Sequence, residues 1–303
     1  SITQLIGYAG TTNTYFDGSM SHIHFTDGYA YAASTFGETD STTGEWKINT
    51  APSLTYGNNG FFILKDGNSV TDQSGNSNNF SVGGGTLTKT EDCPSNVFAT
   101  MNPLNYTSSA IAYVNGNTKP QYPGSWIASL GTLGAKTGKY FWEAKVVSGN
   151  NANLFYGISK PNIDLDSTPQ NQTGVICQHI NGDRYIDTTY TASAAEALTN
   201  GDILGVALDL DSGTKTVKFY KNGTLLSSSS SINLTSTYDN EFVLPFFAGN
   251  NSSASSAWEV NFGNGYFATT AVSSAGTNAS GNGIFEYDVP SGYTALSTKG
   301  LNE

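Results

Sequence analysis

From Gly138 to Ile158 the chain reads GKYFWEAKVVSGNNANLFYGI, and from Gly201 to Gly223 it reads GDILGVALDLDSGTKTVKFYKNG. In both stretches apolar and polar residues alternate, so successive side chains leave a strand on opposite faces. That pattern predicts half-buried antiparallel strands. The same reading predicts strands near Trp126–Leu130, Lys139–Val147, Ala152–Ser159, Val175–His179, Arg184–Asp187, Ile203–Leu210 and Thr214–Lys221. Further ones are expected near Thr224–Ser228, Phe242–Ala248, Ala257–Asn261 and Tyr293–Leu296. Asn222-Gly223 supplies the hairpin turn between two of them, because Asn and Gly accept a positive φ. Ser193–Leu198 is expected to form one helical turn. The run FVLPFFA, residues 242–248, is too short to span a bilayer, so no membrane insertion is expected.

The first 120 residues are less regular. Met20–Phe25 alternates between turns at Asp17-Gly18 and Asp27-Gly28. Two strands alone do not make a stable unit, so residues 1–36 are expected either to complete a sandwich begun upstream or to join the one that follows. Residues 37–120 read as an irregular Gly/Asn/Ser-rich segment, with strands only at Phe61–Lys65 and Asn79–Val82. A structureless loop of that length is unusual in a compact domain. The segment is therefore expected to drape on the sandwich formed by residues 121–303 and to pair along its edges. The fold class is all-β, an antiparallel β-sandwich with an irregular N-terminal extension.

Composition agrees with that class. Charged residues are only 12% of the 303, against about a quarter in average soluble proteins. Polarity comes instead from Ser, Thr, Asn and 34 Gly, with 17 Tyr and 16 Phe to cover pleated surfaces. Disorder would need few aromatics and high charge. The net charge of −11, with 13 scattered Lys and Arg, argues against binding nucleic acid, which needs clustered cations on phosphates. The chain starts Ser-Ile-Thr without a charged region followed by an apolar core, so no secretory leader is expected in it. A trimmed fragment, or a virion protein released by lysis, fits that start.

The order of the strands in residues 121–303 resembles the SPRY domain, a sandwich related to the concanavalin A-like jelly roll. Residues 1–36 resemble the terminal strands of a LamG or concanavalin A-like sandwich. A longer ordered set of pieces runs through the chain: HFTDGYAYAASTFGETDSTTGEW, YGNNGFFI, DQSGNSNNF, PSNVFATMNPL, the SPRY-like body, and PSGYTALSTKGL. This set is similar to a module of tail-fibre-like and other virion structural proteins of marine bacteriophages, departing from it at Cys93. The resemblance implies a non-enzymatic structural protein of a virion, located there or otherwise outside the cell. A tail fibre, head fibre or capsid decoration would contact other virion proteins, self-associate symmetrically, with a trimer one form, and recognise a host-surface carbohydrate. One alternative role is assembly, binding only virion proteins; another is that of a secreted glycan-active enzyme fragment.

Chemistry is sparse. A glycosidase needs two carboxylates flanking the scissile bond. Glu286-Tyr287-Asp288 lacks the distal carboxylate of the laminarinase pattern, and Asp209-Leu210-Asp211 precedes Ser212-Gly213 as a turn would. No G-x-S-x-G elbow is present, and the glycines at 83–85 lack the Lys and Ser/Thr of a phosphate loop. His22 and His24 share one strand face and read as polar residues on an exposed edge. No cofactor is expected. If an ion binds, calcium is expected, because Asn162, Asp164 and Asp166 fall on one side of an extended segment and offer oxygen ligands. Cys177 reads as a buried free thiol, with a bond to Cys93 left open. The SPRY resemblance places a ligand surface on loops, here Asn162–Gly174, Asp187–Gly201, Ser229–Asn240 and Gly249–Ala257. Tyr185, Tyr190 and Tyr238 are the expected exposed rings for stacking on sugars.

Overall fold

A computed structural model describes residues 5–8, 16, 20–39, 41, 44, 46–65, 69–84, 87, 91–92, 96–105, 107, 111–122, 125–147, 153–226, 232–250 and 257–302. The chain divides into two units, Ser1–Ser95 and Asn96–Glu303.

In the first unit β1 (Ile23–Phe25) and β2 (Gly37–Thr39) precede β3 (Trp46–Ile48) and β4 (Phe61–Ile63). β2 and β3 form one antiparallel pair. β1 pairs with β4, with Ile23 opposite Ile63 and Phe25 opposite Phe61. The partner shown for Ile23–Phe25 is a strand of the same unit. Asn79–Val82, predicted as a strand, is extended coil, because its neighbourhood is organised by side chains rather than by a ladder. The Asp72 carboxylate accepts the N–H groups of Phe62, Ser74 and Asn78 at 2.8–2.9 Å. Asn76 and Asn78 donate to the Gly60 carbonyl at 2.9 and 2.8 Å, and Asp27 accepts both the backbone N–H and the side-chain amide of Asn59. Three separate sequence pieces, HFTDG, YGNNGF and DQSGNSNNF, are therefore one interlocked turn structure, of the kind short Asn, Asp and Ser side chains favour.

His24 also departs from the expectation of an exposed polar edge. Its ring stacks on Phe62 at 3.9 Å, and its Nδ1 shares a hydrogen bond with the Tyr56 hydroxyl at 2.8 Å. Burial first, and neighbouring His22 second, push its pKa down to about 4.

The second unit holds β5 (Ala112–Val114), β6 (Lys119–Gln121), β7 (Ile127–Leu130), β8 (Lys139–Val147), β9 (Asn153–Ser159), β10 (Val175–His179), β11 (Arg184–Ile186), β12 (Thr189–Thr191) and β13 (Ile203–Asp209). It continues with β14 (Thr216–Lys221), β15 (Thr224–Leu225), β16 (Ile232–Asn233), β17 (Leu244–Asn250), β18 (Ala257–Asn261), β19 (Tyr266–Phe267), β20 (Thr270–Ala271) and β21 (Thr294–Ala295). Among the described residues these form a six-stranded sheet, β12-β11-β10-β9-β17-β7, a nine-stranded sheet along β15-β14-β13-β8-β18-β6-β5, with β16 beside β14 and β21 beside β8, and a separate two-stranded pair of β19 and β20. All pairings in the two sheets are antiparallel except the parallel contact of β21 with β8. The predicted helical turn at 193–198 is absent, and that segment forms turns and bends.

Alternation decides which residues face the partner sheet. Tyr156 of β9 meets Phe219 at 5.2 Å and Trp258 at 5.7 Å, and Phe247 of β17 meets Trp258 at 5.4 Å. Trp142, Trp258, Tyr156 and Phe219 are all fully buried, so the two sheets close on one aromatic core as an antiparallel β-sandwich. Asn222 (φ 48°) and Gly223 (φ 78°) make the expected tight turn between β14 and β15.

The outer face of the nine-stranded sheet is covered by the C-terminal segment. Phe285 packs edge-on against Phe141 at 5.1 Å. Buried Glu143 of β8 accepts the N–H groups of Glu286 at 2.8 Å and Tyr287 at 2.9 Å. Burial outweighs those bonds and pushes the Glu143 pKa up to about 7. The pieces PSNVFATMNPL and PSGYTALSTKGL meet here, since Ala99 donates to the Leu296 carbonyl and Thr298 to that of Val97, both at 2.9 Å. β5 and β6 extend the nine-stranded sheet from β18.

Candidate functional site

The outer face of the six-stranded sheet carries its own apolar layer. Ala128, Leu130, Phe155, Val175, Cys177, Phe246 and Ala248 form a second buried cluster. The segment after β9 covers one half of it. Ile163 and Leu165 pack inward, and the Leu165 carbonyl accepts the Ala128 N–H at 2.8 Å. Alternation consequently turns Asn162, Asp164 and Asp166 outward, and all three are exposed. Asp164 accepts the Asp166 N–H at 3.0 Å and donates its own N–H to Gln172 at 2.8 Å. Among the described residues no group of three or more His, Cys, Asp or Glu gathers as metal ligands would.

The other half of this face is aromatic and open. Register places Tyr185 opposite both Cys177 and Tyr190, which puts the two rings side by side, 5.1 Å apart and tilted by 35°. The row continues inward from Tyr185 to Phe155 (5.8 Å) and from Phe155 to Trp126 (5.3 Å), while His179 stands edge-on to Phe155 at 4.8 Å. Tyr190, on the edge strand β12, is 53% exposed. Tyr238, the third expected ring, is 1% exposed and belongs to the core. A 3-10 turn at Ser236–Tyr238 directs it inward, so it cannot stack on a ligand.

The turn between β10 and β11 frames the row with polar groups. Asp183 accepts the Ser193 N–H at 2.9 Å and the Asn181 amide at 3.0 Å, and the Tyr190 hydroxyl also donates to it. Burial alone would raise the Asp183 carboxyl, but these hydrogen bonds together hold it below its ordinary value. His179 is lowered by burial, and its Nδ1 accepts the Asn181 N–H at 3.2 Å. The result is an exposed ring, a second ring behind it, and a fixed carboxylate and amide at its edge. Such a surface can stack on an apolar face and hydrogen-bond to neutral hydroxyls. The sequence singled out Tyr185 and Tyr190. It missed Asp183 and Asn181, whose only signal was the turn tetrad Asn181-Gly182-Asp183-Arg184.

The expected catalytic look-alikes are turn and strap residues. Asp209 accepts the N–H groups of Asp211 and Ser212 and pairs with Lys139 at 2.9 Å. Glu286 accepts from the Ser273 hydroxyl, and Asp288 from Thr277. Cys177 is a buried free thiol whose pKa burial drives up, while Cys93 lies outside the described residues, as do residues 251–256 of the Gly249–Ala257 loop.

Residues 139–265 match the family model of the SPRY domain. The chain is similar in structure to the SPRY domain of human HERC1, at 18% identity and a TM-score of 0.44 over 53% of this chain and 96% of that one. It is similar to another human SPRY domain at 16% identity and a TM-score of 0.38, over 50% of this chain and 93% of that one. For the PSpry domain of TRIM65 the identity is 12% and the TM-score 0.41, over 54% of this chain and 90% of that one. No curated protein matches the sequence. The match to the SPRY model spans the strands from β8 to the end of β18 and the turn that follows.

Proposed function

We propose that this chain is a non-enzymatic recognition protein of a bacteriophage virion, and that its SPRY body binds a host-surface glycan. The observation that carries the binding role is the half-exposed Tyr190, backed by Tyr185 and pinned at its hydroxyl by Asp183. A rigid sheet holds these groups, so little ordering is required when a ligand arrives. The low content of charge in the adjoining loops suits hydroxyl-rich, neutral ligands. The place in a virion, as tail fibre, head fibre or decoration, and symmetric self-association rest on the ordered sequence pieces. An assembly role with other virion proteins is the second reading, favoured by the SPRY match, a family of protein-interaction modules.

Binding of the purified chain to host cells and to a neutral glycan panel tests the first reading, with Tyr190→Ala as the critical variant. Loss of binding in that variant, without change in melting temperature, is the expected result. Binding that withstands both Tyr190→Ala and Asp183→Ala would remove the platform from consideration. Retention by virion proteins, with no glycan bound at all, would favour assembly. An EDTA arm reads out whether the segment with Asn162, Asp164 and Asp166 contributes through calcium.

A further inference from the structure

An Asn followed by Gly is prone to lose ammonia, because a glycine nitrogen, with no side chain beside it, can reach the side-chain carbonyl carbon of the preceding residue. Such pairs begin at Asn59, Asn115, Asn181, Asn200, Asn222, Asn264 and Asn282. The reaction needs two groups free. The Asn amide must swing over the backbone, and the next N–H must give up its proton.

At every pair but Asn115 the structure holds one of these groups. The side-chain amide of Asn59 donates to Asp27 at 2.7 Å, that of Asn181 to Asp183 at 3.0 Å and that of Asn222 to Asp202 at 2.7 Å. Asn282 is buried and donates to the Thr294 hydroxyl at 3.0 Å. At the other two the glycine N–H is committed: Gly201 donates to the Val146 carbonyl at 2.9 Å, and Gly265 to the Asn261 side chain at 3.1 Å.

Asn115 differs. It is exposed in the turn between β5 and β6, with a positive φ of 54°. Among the described residues neither its side chain nor the Gly116 N–H makes a hydrogen bond. A Cβ placed on Gly116 would meet no atom within 4 Å, so the nitrogen is open to solvent. The turn is tied by the Asn115 carbonyl instead, which accepts the Thr118 N–H at 3.3 Å and the Thr118 hydroxyl at 2.7 Å.

We infer that Asn115 is the residue at which the folded chain deamidates, a spontaneous modification site with water as the co-reactant. The Gly116 nitrogen gives its proton to solvent base and bonds to the Asn115 side-chain carbonyl carbon. The C–N bond of the amide breaks, and ammonia leaves after taking a proton from solvent. Water then opens the cyclic imide. Opening at the side-chain carbonyl gives aspartate, and opening at the backbone carbonyl gives isoaspartate. Either product adds a negative charge to a chain already at −11. Isoaspartate also lengthens the backbone between the Asn115 carbonyl and its bonds to Thr118, and so loosens the turn.

The whole chain is held at pH 8 and 37 °C for several weeks, folded in one arm and in guanidinium chloride in the other. Peptide mapping by tandem mass spectrometry follows each Asn-Gly pair, and an isoaspartate methyltransferase labels isoaspartate. A held pair must open before it reacts, and a hydrogen bond that must break is worth about a factor of ten. In the folded chain the other pairs are therefore expected to react about tenfold or more slowly than Asn115. In guanidinium chloride they are expected to approach its rate. Ion exchange should show an acidic form accumulating in the wild type and missing from Asn115→Gln, whose longer side chain disfavours the five-membered ring. Another Asn-Gly pair reacting as fast as Asn115 in the folded chain would overturn the inference. So would Asn115 that reacts only when unfolded, or an acidic form that persists in Asn115→Gln. Should that variant fail to fold, the wild-type peptide map decides alone.

Discussion

In Asn96–Glu303 the strands are held by apolar burial, whereas in Ser1–Ser95 they are held by hydrogen bonds from side chains to backbone. The larger unit closes on Trp142, Trp258, Tyr156 and Phe219, all fully buried. Among the described residues of the smaller unit, Phe62 and Ile63 are the buried apolar side chains, and Asp72 is buried with them. A short chain segment cannot exclude much apolar surface from water. Here Asp27, Asp72, Asn76 and Asn78 compensate by satisfying turn amides and carbonyls that strand pairing leaves free. The difference teaches that the same Asn- and Gly-rich composition can serve as connecting loops in one unit and as the main scaffold in another.

The contrast is sharpest under truncation. Trp258→Ala should destabilise the larger unit by about 3–5 kcal/mol, the usual cost of deleting a buried large aromatic, as read by urea denaturation. Asp72→Ala should cost the smaller unit about 3 kcal/mol, because three N–H groups lose their acceptor in a poorly hydrated turn. Asp72→Asn, which keeps an acceptor oxygen, should cost less. Equal costs for Asp72→Ala and Asp72→Asn would show that the carboxylate is not what holds the turn.

A smaller effect separates the units by pH. His24 has a folded pKa of about 4 against 6.5 for the free group, so the unfolded chain binds more protons between those values. Its contribution to stability is full above pH 6.5 and is lost as the pH falls toward 4. Glu143 runs the other way. Its folded pKa of about 7 lies above the 4.5 of the free group, so the native state binds more protons, and its contribution is full below pH 4.5 and lost as the pH rises through 7. Between pH 4.5 and 6.5 the two contributions move in opposite directions. Melting curves of wild type, His24→Phe and Glu143→Gln across pH 4–8 check this. Each variant should flatten the slope of its own unit, and parallel slopes for wild type and Glu143→Gln would contradict the assignment of Glu143.

The sandwich was readable because burial and alternation coincide there. Lys139–Val147, Val175–His179 and Ala257–Asn261 are strands with the bounds that alternation predicts. The short strands β2, β3, β5 and β6 were not legible, since three residues contain too little period to stand out from turns. Tyr185 and Tyr190 could be nominated as rings on a loop-rich edge, but Tyr238 looked the same in sequence and is buried.

The amino-acid sequence by itself determined the fold class, most strands of the larger sandwich, the Asn222-Gly223 turn and the buried state of Cys177, because each depends on local period or on a residue's own conformational preference. Tertiary structure alone decided which strands meet. It paired β1 with β4, joined residues 97–99 to 296–298, set Asp183 against Tyr190, and laid Trp46 over Gly37. Those outcomes depend on contacts between distant segments, and no local pattern of apolar and polar positions encodes a distance in space.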